Sequence, residues 1–503
     1  MAKYRTTDVA AGQALFLPVN LTKQLLPDSF ECMLNEIIGT KIDLKVFDKK
    51  YKNDLTGASA VPPSVLLKLI FYGYSNGCIS SRKLYELNNH NIIAKALTGD
   101  MEIHWTTIAE FVSGNKEAIE EVFAEVLMYC NELGIIGGEN YAIDGLRLPS
   151  NASIEMSGTG EQLKKRLEIY QKMAKKHIER HERKDAQGSV EEETKKRYAR
   201  RQRQIKRRID KISNFLEKMQ KKEGRNGKEI QSNVTDNESA MIHSSKGFMQ
   251  GYIGIVVSDQ KSQVITSAHA FGSANETEHM SEMLEEHLEN IEEAGIKPEG
   301  DKKPTMTGDA NYYSEENIKA CQELGIEAVI ADSQAKRRIG PDGKNRFEVD
   351  DFEYHDKEDY YECPNGKKLE YKRTTEQGGV EGRVYQASLR DCKVCPLFSQ
   401  CSWSKKGQGK INQGKAMRIT ESNGEGSLCR KMRKKLETVE YQDIYANRIQ
   451  IVEPVFANIR YCKGLNRFTL RGEDKVNSQW LLYCMVHNLG KCLNGRNAKK
   501  NAA

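Results

Sequence analysis

Residues 141–153, YAIDGLRLPSNAS, end an apolar run on one isolated acid, Asp144, and residues 303–313, KPTMTGDANYY, repeat the arrangement with Asp309. A third segment, YANRIQIVEPVFANIR (445–460), offers Glu453 on what reads as a helix. Three acids drawn from distant segments are what a site needs to hold two divalent ions against a phosphodiester. Carboxylate oxygens suit Mg²⁺ or Mn²⁺, which also take ligands from substrate phosphates. Two such ions stabilise both the attacking and the leaving oxygen of an in-line displacement. Asp-Gly after an apolar stretch is also a frequent turn signal, so the metal reading draws its weight from the rest of the chain.

Working outward, residues 139–148, ENYAIDGLRL, read as a strand running into a turn, and strand signals resume at GYIGIVVSD (251–259) and QVITSAHAF (263–271), joined by a short polar gap that predicts a hairpin. The segment ETEHMSEMLEEHLENIEEAG (276–295) places Met280, Met283, Leu284, Leu288 and Ile291 at helical spacing. The strand ending at Asp309, a helix through EENIKACQELG and a strand in IEAVIAD complete the series. Strand, hairpin, helix, strand, helix, strand predicts an α/β fold with a mixed sheet, in the order of the ribonuclease H-like fold. The expected core is 136–154 with 231–334, and 436–503 adds C-terminal helices that carry Glu453.

The flanking regions have different compositions. Residues 1–130 read as a helical domain suited to DNA binding, with VPPSVLLKLIFYGYSNG (61–77) as its most apolar helix and a Ser pair capping the next, which carries Arg82 and Lys83. A generic helical bundle fits the same pattern. Residues 155–230 form a basic helical insertion: between Glu161 and Lys222 stand 22 Lys and Arg against 10 Asp and Glu, a balance of +12 in a chain whose net charge is only +6. A basic segment on a mildly acidic body is the footprint of a polyanion partner, and Lys206, Arg207 and Arg208 are candidates for DNA contact.

Residues 335–435 read as a loop-rich, cysteine-rich insertion resembling a zinc ribbon. YECPNGKKL and RDCKVCPLFSQCSW give Cys363, then 28 residues, Cys392, two residues, Cys395, five residues and Cys401. Four thiolates at this spacing are a ligand set for a closed, tetrahedral structural Zn²⁺; free thiols are the alternative. Lys405, Lys406 and Lys410 add charge for DNA. Twelve cysteines in 503 residues without secretory features argue for reduced thiols. No apolar run is long enough to span a bilayer, and the N-terminal segment lacks a signal-peptide core. A cytoplasmic chain of two to four domains, with no membrane partner, is expected.

Several motifs in one order carry a resemblance: SSRKLYEL and TTIAEF, AIDGLRLPSNAS, KGFMQGYIGIVVSD, TGDANYYSEENI, the CPNGK and CKVCP cluster, VEPVFANIRYCKGLNRFTLRG and DKVNSQWLLYCMVHNLGK. Across most of its length the chain resembles DDE-type transposases of bacterial insertion sequences, in the group with a Tyr-Arg-Glu-Lys signature and a cysteine-bearing insert. The resemblance implies an acidic triad at Asp144, Asp309 and Glu453 that binds two Mg²⁺ or Mn²⁺ ions. It places the signature at Tyr445, Arg448, Glu453 and Arg460, with one extra residue before the acid and Arg where Lys is usual; Lys463 lies close by. It further implies double-stranded DNA as partner, both terminal inverted repeats and target, and a homodimer on a nucleoid-associated substrate. Helical spacing puts 445, 448, 449, 452, 453, 456 and 460 on one face. A non-catalytic DNA-binding derivative and a ribonuclease H-like nuclease without strand transfer are the competing readings.

Overall fold

The computed structural model describes residues 20–50, 59–186, 192–224, 227–244, 247–297, 302–332, 346–377, 379–401, 413–421, 423–424 and 426–502. It divides into two compact units, Met1–Phe111 and Val112–Ala503.

The first unit is helical: α1 (Phe30–Ile37), α2 (Pro63–Ser75), α3 (Ser81–His90), α4 (Ile92–Thr98) and most of α5 (Trp105–Gly114). Proline opens α2, where its missing N–H costs nothing. Leu66, Leu67, Leu69, Ile70 and Phe71 are all buried, so α2 is enclosed nearly all round by its neighbours. Ser80 caps α3 by accepting the Lys83 N–H. The crossing of α2 and α3 depends on Gly73, because a Cβ there would stand 2.0 Å from Leu84 Cδ2.

The second unit begins with α6 (Lys116–Glu132), which packs on the C-terminal helix. The boundary expected near residue 130 therefore gives way to one at Phe111, because the apolar face of α6 is buried in the second unit. Strand β1 (Asn140–Pro149) follows, and a two-residue ladder of β2 (Ser157–Gly158) and β3 (Ser232–Asn233) closes the base of a helical hairpin, α7 (Gly160–Ala186) and α8 (Glu192–Lys218). Most of the expected break at DAQGS lies outside the described residues. The sheet continues with β4 (Ala240–Ser244), β5 (Gly247–Asp259) and β6 (Ile265–Phe271), then α9 (Met280–Glu293), β7 (Thr305–Gly308), α10 (Glu315–Glu323) and β8 (Glu327–Ile330). Its order is β4-β5-β1-β7-β8, with β6 also on β5. β1 runs antiparallel to β5 and parallel to β7, and β7 is parallel to β8.

The insertion expected to be loop-rich instead contains a five-stranded antiparallel sheet, ordered β13-β12-β11-β10-β9. Its strands are β9 (Glu353–His355), β10 (Tyr360–Glu362), β11 (Lys368–Gln377), β12 (Val380–Ala387) and β13 (Ala416–Ile419), with two short helices, α11 (Leu389–Lys393) and α12 (Phe398–Cys401), between the last two strands. The strands escaped the sequence reading because polar residues dominate β11, half of them Lys, Arg or Glu, and leave little apolar alternation. A small core of Phe352, Tyr361, Leu369, Tyr385 and Met417 holds the sheet together.

The chain closes with α13 (Leu428–Lys435), α14 (Val439–Ala457) and α15 (Glu473–Ala502). Helices α9, α10 and α13 share a core with Ile143, Ile253, Ile255 and Val257 on one sheet face. On the other face α14 buries Ile451 and Val452 against Ala142, and α15 brings the fully buried Trp480 onto the sheet. Gly254 makes room for that indole: a Cβ would lie 2.7 Å from Trp480 Cζ2. The Trp480 Nε1–H donates to the Ile255 carbonyl at 3.3 Å, so the ring's polar atom is satisfied inside the core.

Glu286 on α9 is only half-exposed and accepts the Ala268 N–H at 3.4 Å. Burial pushes its carboxyl up to about 7, against that hydrogen bond, with the Glu120 and Glu282 charges adding to the shift. A carboxyl raised on folding stabilises the fold fully below its unfolded pKa of about 4.3, and the contribution is lost as pH rises to about 7. Thermal melts of Glu286→Gln and the unsubstituted chain should therefore nearly coincide at pH 4, while at pH 8 the variant should melt higher.

Candidate active site and metal centre

Strand alternation decides which way the first acid points. Ala142 and Asp144 face α14, whereas Ile143 and Gly145 face the α9 side. The parallel register sets Ile143 opposite Gly308, so the next residues on the two chains, Asp144 and Asp309, come abreast. Asp309 keeps an extended backbone (φ −71°, ψ 173°), which carries the alternation one residue past β7.

Each aspartate is held by short-range donors. Asp144 Oδ1 accepts the Gly145 N–H at 2.8 Å, and Oδ2 accepts the Arg448 guanidinium from α14 at 3.1 Å. Asp309 Oδ1 accepts the Asn311 N–H at 2.8 Å, and Oδ2 the Asn311 amide at 2.9 Å. Burial raises the Asp144 carboxyl above the ordinary carboxylate range; the Gly145 N–H and Arg448 oppose this, and the Asp309 charge adds to it. Tyr445 belongs to the same group. Its ring lies 5.9 Å from the Arg448 guanidinium carbon, and burial raises its hydroxyl, opposed by Arg448 and reinforced by Asp309 and Asp144.

A further acid, missed in the sequence, joins them. Glu276 opens the helical turn before α9 and is 5% exposed. Its Oε1 accepts Arg147 Nη2 at 3.3 Å and the Asn311 amide at 3.2 Å, so Asn311 touches both Glu276 and Asp309. Burial pushes Glu276 up to about 7; Arg147 opposes the shift, and the charges of Asp309 and Asp144 add to it. The available signal was Arg147, two residues past Gly145 on β1, an exposed-type cation in a strand that otherwise reads as apolar.

Glu453 is placed differently. It is exposed on α14, and among the described residues it makes no hydrogen bond or ion pair with Asp144 or Asp309. The expected common face of α14 divides: Val452 and Ile451 are buried against Ala142, while Ile449 and Glu453 are exposed. At 3.6 residues per turn Glu453 lies roughly 140° around the helix from Arg448, so the residue that reaches Asp144 from α14 is the arginine. Among the described residues no three His, Cys, Asp or Glu side chains form a metal-ligating group.

Residues 19–114 match a family model described as a transposase domain (DUF772), and residues 362–493 match one described as a transposase DDE domain. The chain carries two transposase domains, one of them of the DDE type. No match was found among curated proteins. The second matched segment takes in the cysteine cluster, Arg448 and Glu453, while Asp144 and Asp309 lie outside it.

Three of the four cysteines share one small core. Cys363, Cys392 and Cys401 pack in the core of the five-stranded sheet with Phe398. Burial pushes the Cys401 thiol up to about 11; Lys415 opposes this, and Cys392, Cys363 and Cys395 all add to it. The Lys367 N–H donates to Cys363 Sγ at 3.3 Å and the Lys415 N–H to Cys392 Sγ at 3.4 Å. Gly366, at φ +69°, supplies the left-handed turn that brings Lys367 back over Cys363.

The expected DNA contacts fare unevenly. Arg82 and Lys83 are exposed on α3, and Arg82 stacks over Trp105 at 4.9 Å. Lys206, Arg207 and Arg208 are exposed on α8, Arg208 donating to the Tyr170 hydroxyl at 3.1 Å. Arg460 lies 5.8 Å from the Tyr461 ring. Lys463 is a correction: the π-helical turn Asn458–Cys462 folds the chain inward, Lys463 is 9% exposed, and burial lowers its pKa. A side chain so enclosed does not reach a DNA phosphate. Lys405, Lys406 and Lys410 lie outside the described residues. No helix among the described residues is long and apolar enough to cross a membrane.

Gly145 is the tightest point of the acid cluster. A Cβ there would stand 2.5 Å from Glu276 Oε2 and 2.8 Å from Ile253 Cγ2. Gly145→Ala should lower stability by about 1–3 kcal/mol through overpacking, read as a fall in the urea midpoint at unchanged slope.

Proposed function

We propose that this chain cleaves DNA at the ends of its insertion sequence and joins the freed 3′ ends to target DNA by phosphoryl transfer assisted by two divalent ions. The observation that carries the reading is the pair Asp144 and Asp309, abreast on adjacent parallel strands and facing α14, in a chain with two transposase domains. The strand order β6-β5-β1-β7-β8, with β1 antiparallel to one neighbour and parallel to the other, supports a ribonuclease H-like core.

The donor set fits Mg²⁺ or Mn²⁺. Both aspartates offer hard oxygens, and among the described residues those of Asp309 are engaged only by the neutral Asn311. Mg²⁺ usually keeps several waters and is held by one or two carboxylates plus substrate phosphates, so a three-acid cage is not required before DNA arrives. Bound there, the ions supply Lewis-acid stabilisation of an in-line displacement at phosphorus. Glu453 is proposed as the third carboxylate, supported by its place in the matched DDE segment. Arg448 and Arg460 on one arm, and the α7–α8 hairpin on another, hold DNA phosphates and fix its register without reading its sequence. A homodimer pairing two DNA ends, in the cytoplasm on the nucleoid, completes the proposal.

The cysteine group is proposed to hold a structural Zn²⁺. Backbone N–H groups point at Cys363 Sγ and Cys392 Sγ, and a small core in a polar insertion gains most from such a staple. Zinc released from the purified chain on thiol modification should amount to one per chain, and Cys392→Ser with Cys395→Ser should lose it. Full retention in the double variant would refute the site.

Incubation with labelled duplexes carrying the element ends, with Mg²⁺, Mn²⁺ or EDTA, tests the chemistry. Asp144→Asn, Asp309→Asn and Glu453→Gln should each reduce cleavage by at least about 10²-fold while end binding persists. Undiminished cutting by either aspartate variant would sink the assignment. Hydrolysis without joined products would favour a ribonuclease H-like nuclease, and binding without cleavage in any metal a DNA-binding derivative.

A further inference from the structure

The cations of the α7–α8 hairpin are not spread evenly. Two hollows of about 390 and 490 Å³ lie between its helices and share Met173, Arg197, Arg201 and Ile205, so they form one groove. Lys176 and Arg180 rim it from α7, and Arg200, Gln204 and Arg208 extend it along α8. Among the described residues no acid lines either hollow. Residues 197–208, RYARRQRQIKRR, contain none at all. At 3.6 residues per turn Arg197, Arg200, Arg201, Gln204 and Arg208 fall within about 100° of arc, over roughly 16 Å of helix. Lys195, Arg203 and Lys206 fall on the other side of α8, and Glu168 and Glu179 of α7 stand roughly 120–140° round from Met173. Of the three cations that the sequence singled out, Arg208 alone lines the groove.

Within the groove the charges differ in what they touch. Arg208 is engaged, donating to the Tyr170 hydroxyl at 3.1 Å and lying 3.7 Å from Glu155. Arg197, Arg200 and Arg201 are exposed and make no hydrogen bond or ion pair among the described residues. Like charges three and four residues apart on a helix repel, so this turn is destabilised until an anion arrives. Guanidinium forks match phosphate oxygens. Helices packed at about 8–10 Å between axes leave room for the backbone of one strand, not for a duplex.

We propose that this groove, and not the outer faces of the hairpin, seats the phosphate backbone of one DNA strand, with Arg197, Arg200 and Arg201 as its principal contacts. The proposal rests on the DNA-binding reading above and deepens it by assigning the hairpin a single face and a single strand.

Two triple variants of equal charge test it in the full-length chain: Arg197→Gln, Arg200→Gln and Arg201→Gln in the groove, and Lys195→Gln, Arg203→Gln and Lys206→Gln outside it. Fluorescence anisotropy of labelled duplexes, carrying element ends or an unrelated sequence, would be followed between 50 and 200 mM KCl. The groove variant should bind at least about tenfold more weakly at 50 mM, by the same factor on both duplexes, and its slope of log affinity against log salt should be shallower by about 2–3. The outer variant should stay within about threefold of the unsubstituted chain, and circular dichroism should show equal helicity in all three proteins. Equal weakening by the two triples would overturn the groove in favour of diffuse charge. Unchanged affinity and slope in the groove variant, or a loss confined to element ends, would also overturn it while leaving DNA binding by the chain intact. No binding by the unsubstituted chain would overturn the DNA reading together with this extension. Should the groove triple lose helicity, Arg197→Lys with Arg201→Gln carries the test, and affinity equal to wild type would again overturn it.

Discussion

The parallel pairing of β1 with β7 is the constraint on which the rest of the molecule hangs. A parallel pair needs a long crossover, and here the chain between the two strands supplies the basic hairpin, three antiparallel strands and α9 before it returns. Only the register Ile143–Gly308 brings Asp144 and Asp309 abreast. A slip of one residue would turn one aspartate to the opposite face of the sheet, among Ile253, Ile255 and Met283. The buried alternation of β1 against α14 on one side and α9 on the other forbids that slip.

With the strands fixed, the charges follow. Asp144 faces α14 and finds Arg448; Gly145 faces the other way and admits Glu276. The two arginines come from different elements, Arg147 from β1 itself and Arg448 from the last third of the chain. The centre therefore assembles only when the C-terminal helices dock, and the packing of Trp480 over Gly254 anchors the sheet to α15. The site's electrostatics and the closure of the core depend on the same docking.

The inserted regions are built by different physics. The α7–α8 hairpin buries little beyond Leu163, Ile205 and Ile212, so its long exposed faces are free to carry charge. The five-stranded sheet has a core of a few aromatic side chains with cysteines at its edge, small enough that a metal staple would matter. Both stand outside the main sheet and leave its register untouched.

Much of this was legible in the sequence. The strands around Asp144 and Asp309, the hairpin of β5 and β6, the amphipathic α9 and the basic hairpin all announce themselves by local periodicity, because a strand or helix with one buried face writes that face at fixed spacing. The five-stranded sheet did not, since its solvent-facing charges mask the alternation. What the sequence by itself determined is the inventory: two isolated acids after apolar runs, a concentration of positive charge, four cysteines at ligand spacing. What only the tertiary structure decided is the company each residue keeps: Arg448 on Asp144, Glu276 beside Asp309, Lys463 turned inward and Glu453 turned outward. Those outcomes depend on which face of a helix meets the sheet and on where a glycine leaves room, and both are settled by contacts between segments hundreds of residues apart, which no local pattern encodes.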